Sequence, residues 1–105
     1  MSILLTGFDA FGGEAVNPSW LMLEAFNGTH IEGHAVHARR LPTAFGHSLL
    51  ALAQHIDDLQ PDLAIAFGQA GGRSTVSLER VAINCDDARI ADNAGNQPVD
   101  TRIFA

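Results

Sequence analysis

The sequence predicts an α/β domain: an open, twisted, mostly parallel sheet with flanking helices. Two observations carry that prediction. Short apolar runs that stop at glycine alternate with segments of helical character, in the order β-α-β-α-β. Such alternation implies parallel strands joined by right-handed crossovers. Glycine-rich loops also follow the first and last of these runs, at Gly7–Gly13 and Gly68–Gly72. Those are the places beyond strand carboxyl ends where open α/β sheets bind ligands.

The elements follow in order. Ser2-Ile3-Leu4-Leu5-Thr6 reads as a buried strand that stops at Gly7. Asn17-Pro18 starts a helix, because Asn caps and Pro suits the first helical position. That helix runs through Trp20, Leu21, Leu23, Glu24 and Ala25 and ends at Asn27-Gly28, which tolerate positive φ. Residues 34–40 read as a second strand, ended by Leu41-Pro42, and Thr43 is a candidate cap for the next helix. In that helix Phe45, Leu49, Leu52, Ile56 and Leu59 form one apolar stripe, and Pro61 closes it. Leu63-Ala64-Ile65-Ala66-Phe67 is apolar throughout, as in a strand covered on both faces. Val81-Ala82-Ile83 is a candidate for one more short strand. From Asp86 to Ala105 no period is evident, and the chain is expected to stop in the middle of a fold.

Composition narrows the function classes. The 105 residues make one domain, and 47% hydrophobic with 17% charged residues is globular composition. Mean hydropathy is +0.10, yet no run approaches the ~18–20 apolar residues that span a bilayer. The start MSILLTGF has neither a basic region nor a small-residue cleavage site, so no signal peptide is expected. Six arginines, no lysine and 12 acidic residues give −6, which argues against nucleic acid and anionic membrane as partners. The single cysteine, Cys85, excludes an internal disulfide and fits a reducing, cytoplasmic setting. Asn27-Gly28-Thr29 fits a glycosylation acceptor but reads here as a helix-ending turn.

Each chemical motif has a bland alternative. Gly68-Gln69-Ala70-Gly71-Gly72-Arg73 is either a tight turn or a ligand loop, and it lacks the Gly-Lys-Ser/Thr ending of a Walker loop. Gln69 has the donor and the acceptor needed to read an amide edge. Glu79 is either the acid that orients a histidine or a surface acid paired with an arginine. Phe8 and Phe11 bracket the first glycine turn as core residues or as the walls of a slot for a small flat ligand. Asp86, Asp87 and Asp92 lack calcium-loop spacing and read as solvated turn residues. His30, His34, His37, His47 and His55 form no metal pair and read as surface residues. Cys85 has no histidine or helix start beside it and reads as a structural thiol.

In sequence order, Thr6-Gly7-Phe8-Asp9-Ala10-Phe11-Gly12-Gly13, Asn17-Pro18-Ser19-Trp20, Leu41-Pro42-Thr43, Gly68-Gln69-Ala70-Gly71-Gly72-Arg73, Glu79-Arg80-Val81-Ala82-Ile83-Asn84, Asp87-Ala88-Arg89-Ile90 and Asp92-Asn93-Ala94-Gly95-Asn96-Gln97-Pro98 form a series. The series resembles the pyroglutamyl peptidase I (pyrrolidone-carboxylate peptidase) family across nearly the whole chain. The resemblance implies a cysteine peptidase that removes N-terminal pyroglutamate from peptides without metal or organic cofactor. It implies a homo-oligomer, often a tetramer. In that family a Cys attacks the pyroglutamyl carbonyl, a His is the base and a Glu orients the His. The family's Glu matches Glu79, and its lactam pocket matches Phe8, Phe11 and Gln69, with Thr43 and Ile90 as neighbours. The family's Cys and His match nothing in these 105 residues, and Cys85 is not where that family places its nucleophile. Residues 1–105 are therefore expected to be the N-terminal part of a single α/β peptidase domain, inactive alone. The competing expectation is a non-catalytic α/β module that keeps a lactam-binding or phosphate-binding glycine-rich loop.

Overall fold

The computed structural model describes residues 1–105. Strand β1 (Ser2–Phe8) leads through helix α1 (Pro18–Leu23) and a 3-10 turn (Glu24–Phe26) to a short strand β2 (His30–Ile31). Then come β3 (His34–Leu41), helix α2 (His47–Leu59) and β4 (Leu63–Ala66). The four strands lie in the order β2-β3-β1-β4. β1 pairs in parallel with β3 on one side and β4 on the other, while β2 pairs antiparallel with β3. The sheet is thus mixed, and β2 is the strand the sequence pattern does not announce. It is two residues long, with Glu32 at φ 48 and Gly33 at φ 81 in the turn to β3.

The chain steps out from β1 to β3 and then back past β1 to β4. With right-handed crossovers, that reversal puts α1 and α2 on opposite faces. The register agrees: Ile3 pairs with Val36 and Leu5 with Ala38, and Leu5, Val36 and Ala38 form a buried cluster with Leu23 of α1. Ile3, Trp20 and Phe67 pack around it. Leu4 and Thr6 point to the other face and are also buried, so β1 is covered on both sides. Burying each of Leu4, Leu23 and Val36 contributes roughly 1.5–3 kcal/mol.

α1 begins as its sequence predicts. Asn17 caps it, with Oδ1 accepting from Ser19 N–H, and Pro18 occupies the first turn. Gly28 takes φ 82 after the 3-10 turn. The Asn27 amide oxygen accepts from Ala38 N–H at 3.0 Å and from Arg39 Nη1 at 3.2 Å, so Asn27 is tied to β3. α1 can sit this low because residue 7 is glycine. A Cβ at Gly7 would stand 2.9 Å from the backbone carbonyl group of Ser19 and from Trp20 Cα.

Four expectations are corrected. Thr43 does not cap α2: the cap position is Gly46 at φ 78, without a side-chain bond. β4 is not covered on both faces; it is an edge strand, with Leu63 50% and Ile65 40% exposed, because no element packs outside it. Val81-Ala82-Ile83 forms no strand: it joins no sheet, and Val81 and Ile83 are exposed. The α2 stripe is only partly buried, with Leu49 and Ile56 left exposed. Residues 84–105 are less shapeless than their sequence suggests. Asp86 and Thr101 exchange two backbone bonds of 2.7 and 2.8 Å, and Ala88 N–H donates to Pro98 C=O. The radius of gyration, 14.4 Å, exceeds the ~13 Å of a close-packed domain of this length. Residues 68–84 are exposed throughout.

Gly7→Ala is expected to lower stability by about 1–3 kcal/mol through overpacking, read as a fall in thermal midpoint. An unchanged midpoint would mean that α1 does not rest on β1 this closely.

Candidate active site

Reversal of strand order between β1 and β4 creates a switch point, where α/β sheets open a crevice beyond the strand carboxyl ends. Three chain segments leave the sheet at that end. They follow β1 at Asp9, β3 at Pro42 and β4 at Phe67.

The β1 exit turn is built first. Asp9 N–H donates to Leu41 C=O at 3.0 Å, extending the β1–β3 pairing by one residue. Asp9 C=O accepts from Thr43 Oγ1 at 2.7 Å and from Asn17 Nδ2 at 3.1 Å. Its carboxylate meets Arg40 Nε at 2.9 Å, and the same guanidinium stands 5.7 Å from the centre of the Trp20 ring. Gly12 at φ 64 and Gly13 at φ 79 then turn the chain, and Glu14 N–H closes on Phe11 C=O. Side chains rarely tolerate two successive residues of that kind. Phe8 and Phe11 are both half-buried. Phe8 lines a cavity of about 220 Å³ with Trp20, Leu21 and Arg40.

The β4 exit forms a larger groove of about 830 Å³. Its walls include Pro18 and Ser19 at the start of α1, Phe67, Gln69, Arg73 and Glu79. Gln69 and Glu79 are therefore brought to one groove. None of the five histidines lines it. Glu79 Oε1 accepts from Arg73 Nη1 at 2.8 Å, with both side chains more than half exposed. An arginine partner is one of the two readings the sequence allows, and Arg73, six positions earlier, supplies it. Ser19 joins the two regions: its Oγ accepts from Phe8 N–H at 3.0 Å while its residue lines the groove.

Thr43 and Ile90 belong to the β1 side. Ile90 Cδ1 lies 3.8 Å from where a Cβ on Gly12 would stand. Thr43 C=O accepts from Asn93 N–H at 2.9 Å. Asn93 Nδ2 in turn donates to Ala10 C=O at 2.8 Å. Asp92 is not the solvated turn residue that its sequence suggests. Its Oδ2 accepts from Phe45 N–H at 2.7 Å, and its Oδ1 from Ala94 and Asn96 N–H at 2.9 and 2.8 Å. Partial desolvation pushes this carboxyl up, but the donors on Asn96, Phe45 and Ala94 outweigh it and hold it below the usual carboxylate range. The turn spacing Asp-x-Ala/Gly-x-Asn hints at the local bonds to residues 94 and 96. The bond to Phe45, 47 positions away, leaves no local signal.

Cys85 is half-buried, and its thiol lies 3.5 Å from Asp100 Oδ1. Desolvation, the Asp100 hydrogen bond and the charges of Asp100, Asp87 and Asp86 all push its pKa up. A thiol held protonated is a poor nucleophile, in line with a structural role. No three His, Cys, Asp or Glu side chains converge on a point that could hold a metal ion.

Two outcomes follow from these ionisations. Cys85 is expected to react with iodoacetamide at pH 7.5 several-fold more slowly than free cysteine, and Asp100→Asn to speed it. Alkylation at the free-cysteine rate would contradict the raised pKa. For Asp92 the folded value lies below the unfolded one, so its stabilisation is present above about pH 4. That stabilisation is lost as pH falls through the folded value. The Phe45 amide resonance should shift with a midpoint below the unfolded carboxylate value, and the step should vanish in Asp92→Asn.

The pyroglutamyl peptidase family model matches residues 1–105. A pyrrolidone-carboxylate peptidase of Klebsiella pneumoniae is 60% identical over 101 residues, covering 96% of this chain and 47% of the relative. One from Yersinia pestis is 56% identical, covering 97% of this chain and 47% of the relative. Among solved structures, pyroglutamyl peptidase I of Bacillus amyloliquefaciens superposes with a TM-score of 0.95 at 48% identity, over 99% of this chain and 50% of that one. A mutant pyrrolidone carboxyl peptidase of Pyrococcus furiosus gives 0.96 at 41% identity, over 99% and 50%. The chain spans about half the length of the curated relatives it matches. Matched from residue 1 to residue 105, at high identity and on the same backbone, the chain belongs to the pyroglutamyl peptidase family.

Proposed function

We propose that residues 1–105 are the N-terminal part of a single α/β cysteine peptidase domain that removes N-terminal pyroglutamate from peptides. The observation that carries this reading is the family match over all 105 residues. It is supported by Gln69 and Glu79 sharing one groove at the β4 exit, beside the start of α1.

In this reading the pyroglutamyl ring, neutral and flat, lies against Phe8 and Phe11, with Thr43 and Ile90 beside it. Gln69 reads the lactam edge: its amide oxygen accepts the ring N–H and its NH₂ donates to the ring carbonyl. A pocket that pairs with both shape and amide edge rejects an open-chain residue, which leaves its polar groups unmatched. A family Cys outside these residues attacks the pyroglutamyl carbonyl carbon. A family His takes the thiol proton and returns it to the departing peptide amine, and water then hydrolyses the thioester. Glu79 accepts the other imidazole N–H and fixes the tautomer. Arg73 holds Glu79 Oε1, and Oε2 is the oxygen assigned to the His. The assembly is proposed to be a homo-oligomer and to work in the cytoplasm. No helix is long and apolar enough to cross a membrane.

The test joins residues 1–105 to the remaining half of the Klebsiella relative. The joined protein is expected to cleave pyroglutamyl anilide and to spare prolyl anilide. Glu79→Gln should lower kcat by about 10²–10⁴-fold with little change in KM. The 105-residue chain alone should release nothing. A folded joined protein that binds ATP but neither binds nor cleaves pyroglutamyl compounds would replace the peptidase reading with the binding module.

A further inference from the structure

The cleavage chemistry above leaves one well-built feature unused. Asp92 and Asn93 are neighbours, yet between them they grip two distant parts of the chain. Asp92 Oδ2 takes Phe45 N–H, Asn93 N–H reaches Thr43 C=O, and Asn93 Nδ2 reaches Ala10 C=O. Their own turn is closed by Asp92 Oδ1 on Ala94 and Asn96 N–H and by Asp92 N–H on Asn96 C=O.

We infer that Asp92 and Asn93 are positioning residues that lock three separate segments into one wall of the substrate pocket. This rests on the peptidase reading above. The three segments are the β1 exit turn with Phe8 and Phe11, the Thr43 segment after β3, and the Ile90 segment. Ala10 sits between the two aromatics, Thr43 is gripped directly, and Ile90 precedes Asp92 by two residues.

Two features make this a clamp with a role in binding. Packing alone does little to hold the Ile90 segment of the wall. Ile90 is 55% exposed, and residues 93–97 are exposed throughout. Directional polar bonds must therefore set its position. The clamp is also saturated internally: both oxygens of Asp92 are engaged by backbone N–H groups, so the side chain is already committed to holding backbone. It acts through Phe8, Phe11, Thr43 and Ile90 and touches no reacting atom.

A wall that shifts weakens ground state and transition state alike, so the clamp should appear in KM and leave kcat alone. Small displacements of positioning groups are enough to cost large factors. The experiment uses the protein joined to the Klebsiella half, with Asp92→Ala, Asp92→Asn and Asn93→Ala. The readouts are KM and kcat for pyroglutamyl anilide, calorimetric Kd for free pyroglutamate, and thermal midpoint. Asp92→Ala and Asn93→Ala are expected to raise KM and Kd by about 10-fold or more, with kcat within about threefold of the parent. Asp92→Asn, which keeps one acceptor oxygen, should fall between. Glu79→Gln should show the opposite split.

KM and Kd within about twofold of the parent in folded variants would overturn the clamp and leave the peptidase reading intact. A fall in kcat with KM unmoved would overturn it too, by placing Asp92 in the chemistry. If Asp92→Ala fails to fold, Asp92→Asn and Asn93→Ala decide. A parent that binds pyroglutamate without turnover would sink the peptidase reading, and the clamp would then be judged on Kd. A parent that binds no pyroglutamate would sink both.

Discussion

Helix α1 reaches β1 only because residue 7 has no side chain. With Ser19 and Trp20 backbone where a Cβ would stand, a three-residue polar device can span the gap. Asn17 Oδ1 accepts from Ser19 N–H at 3.0 Å and from Ser19 Oγ at 2.7 Å. Its Nδ2 reaches back to Asp9 C=O, while Ser19 Oγ accepts from Phe8 N–H. Asn17 and Ser19 are both 4% exposed. The two Asn17–Ser19 bonds are therefore made out of water, where an unpaired partner costs about 1–3 kcal/mol. This contact fixes where β1 ends, how its exit turn leaves the sheet, and which side chains of α1 meet Leu5 and Val36.

The rest of the site inherits that position. Asp9 C=O, held by Asn17 and Thr43 together, fixes the first turn against the third strand. Ser19 carries the same position to the groove that Gln69 and Glu79 share. Only 11 of 105 residues are buried, so the hydrophobic core is too small to define the outlying segments. Side-chain to backbone bonds define them: Asp92 and Asn93 on one side, and Asn84 on the other, where its Oδ1 takes Ile103 and Phe104 N–H. The end of the sheet where β1, β3 and β4 exit is thus organised by side-chain to backbone bonds on a small apolar base. The outer edge of β4 and exposed Val76, Leu78, Val81 and Ile83 are apolar surfaces that these residues leave uncovered.

Legibility in the sequence followed the range of the forces. Asn17-Pro18 marked the start of α1 because capping is decided within three residues. Gly12-Gly13 marked a turn because positive φ is a local property. The sequence misled where the deciding partner was remote. Thr43 looks like a cap, yet its hydroxyl is claimed by Asp9 C=O, 34 positions earlier. Val81-Ala82-Ile83 has strand composition, but a strand exists only when it pairs with another, and this segment joins no sheet. Leu63–Phe67 is apolar enough to be covered on both faces, and residues 1–105 leave Leu63 and Ile65 exposed.

What the sequence by itself determined was the α/β class, the order of the main elements, the family, and the residues that the family motif marks as Glu79, Gln69, Phe8, Phe11, Thr43 and Ile90. Periodicity, capping chemistry and motif spacing are properties of neighbouring residues, so they survive without coordinates. Only the tertiary structure decided that these six residues divide between two exits of one sheet. Phe8, Phe11, Thr43 and Ile90 lie on the β1 side, and Gln69 and Glu79 lie in the β4 groove. Only the tertiary structure supplied Arg73 as the arginine beside Glu79, and gave Asp92 the Phe45 N–H as a partner. Those outcomes depend on which segments β1 brings together, and strand order is a long-range property that no local pattern encodes.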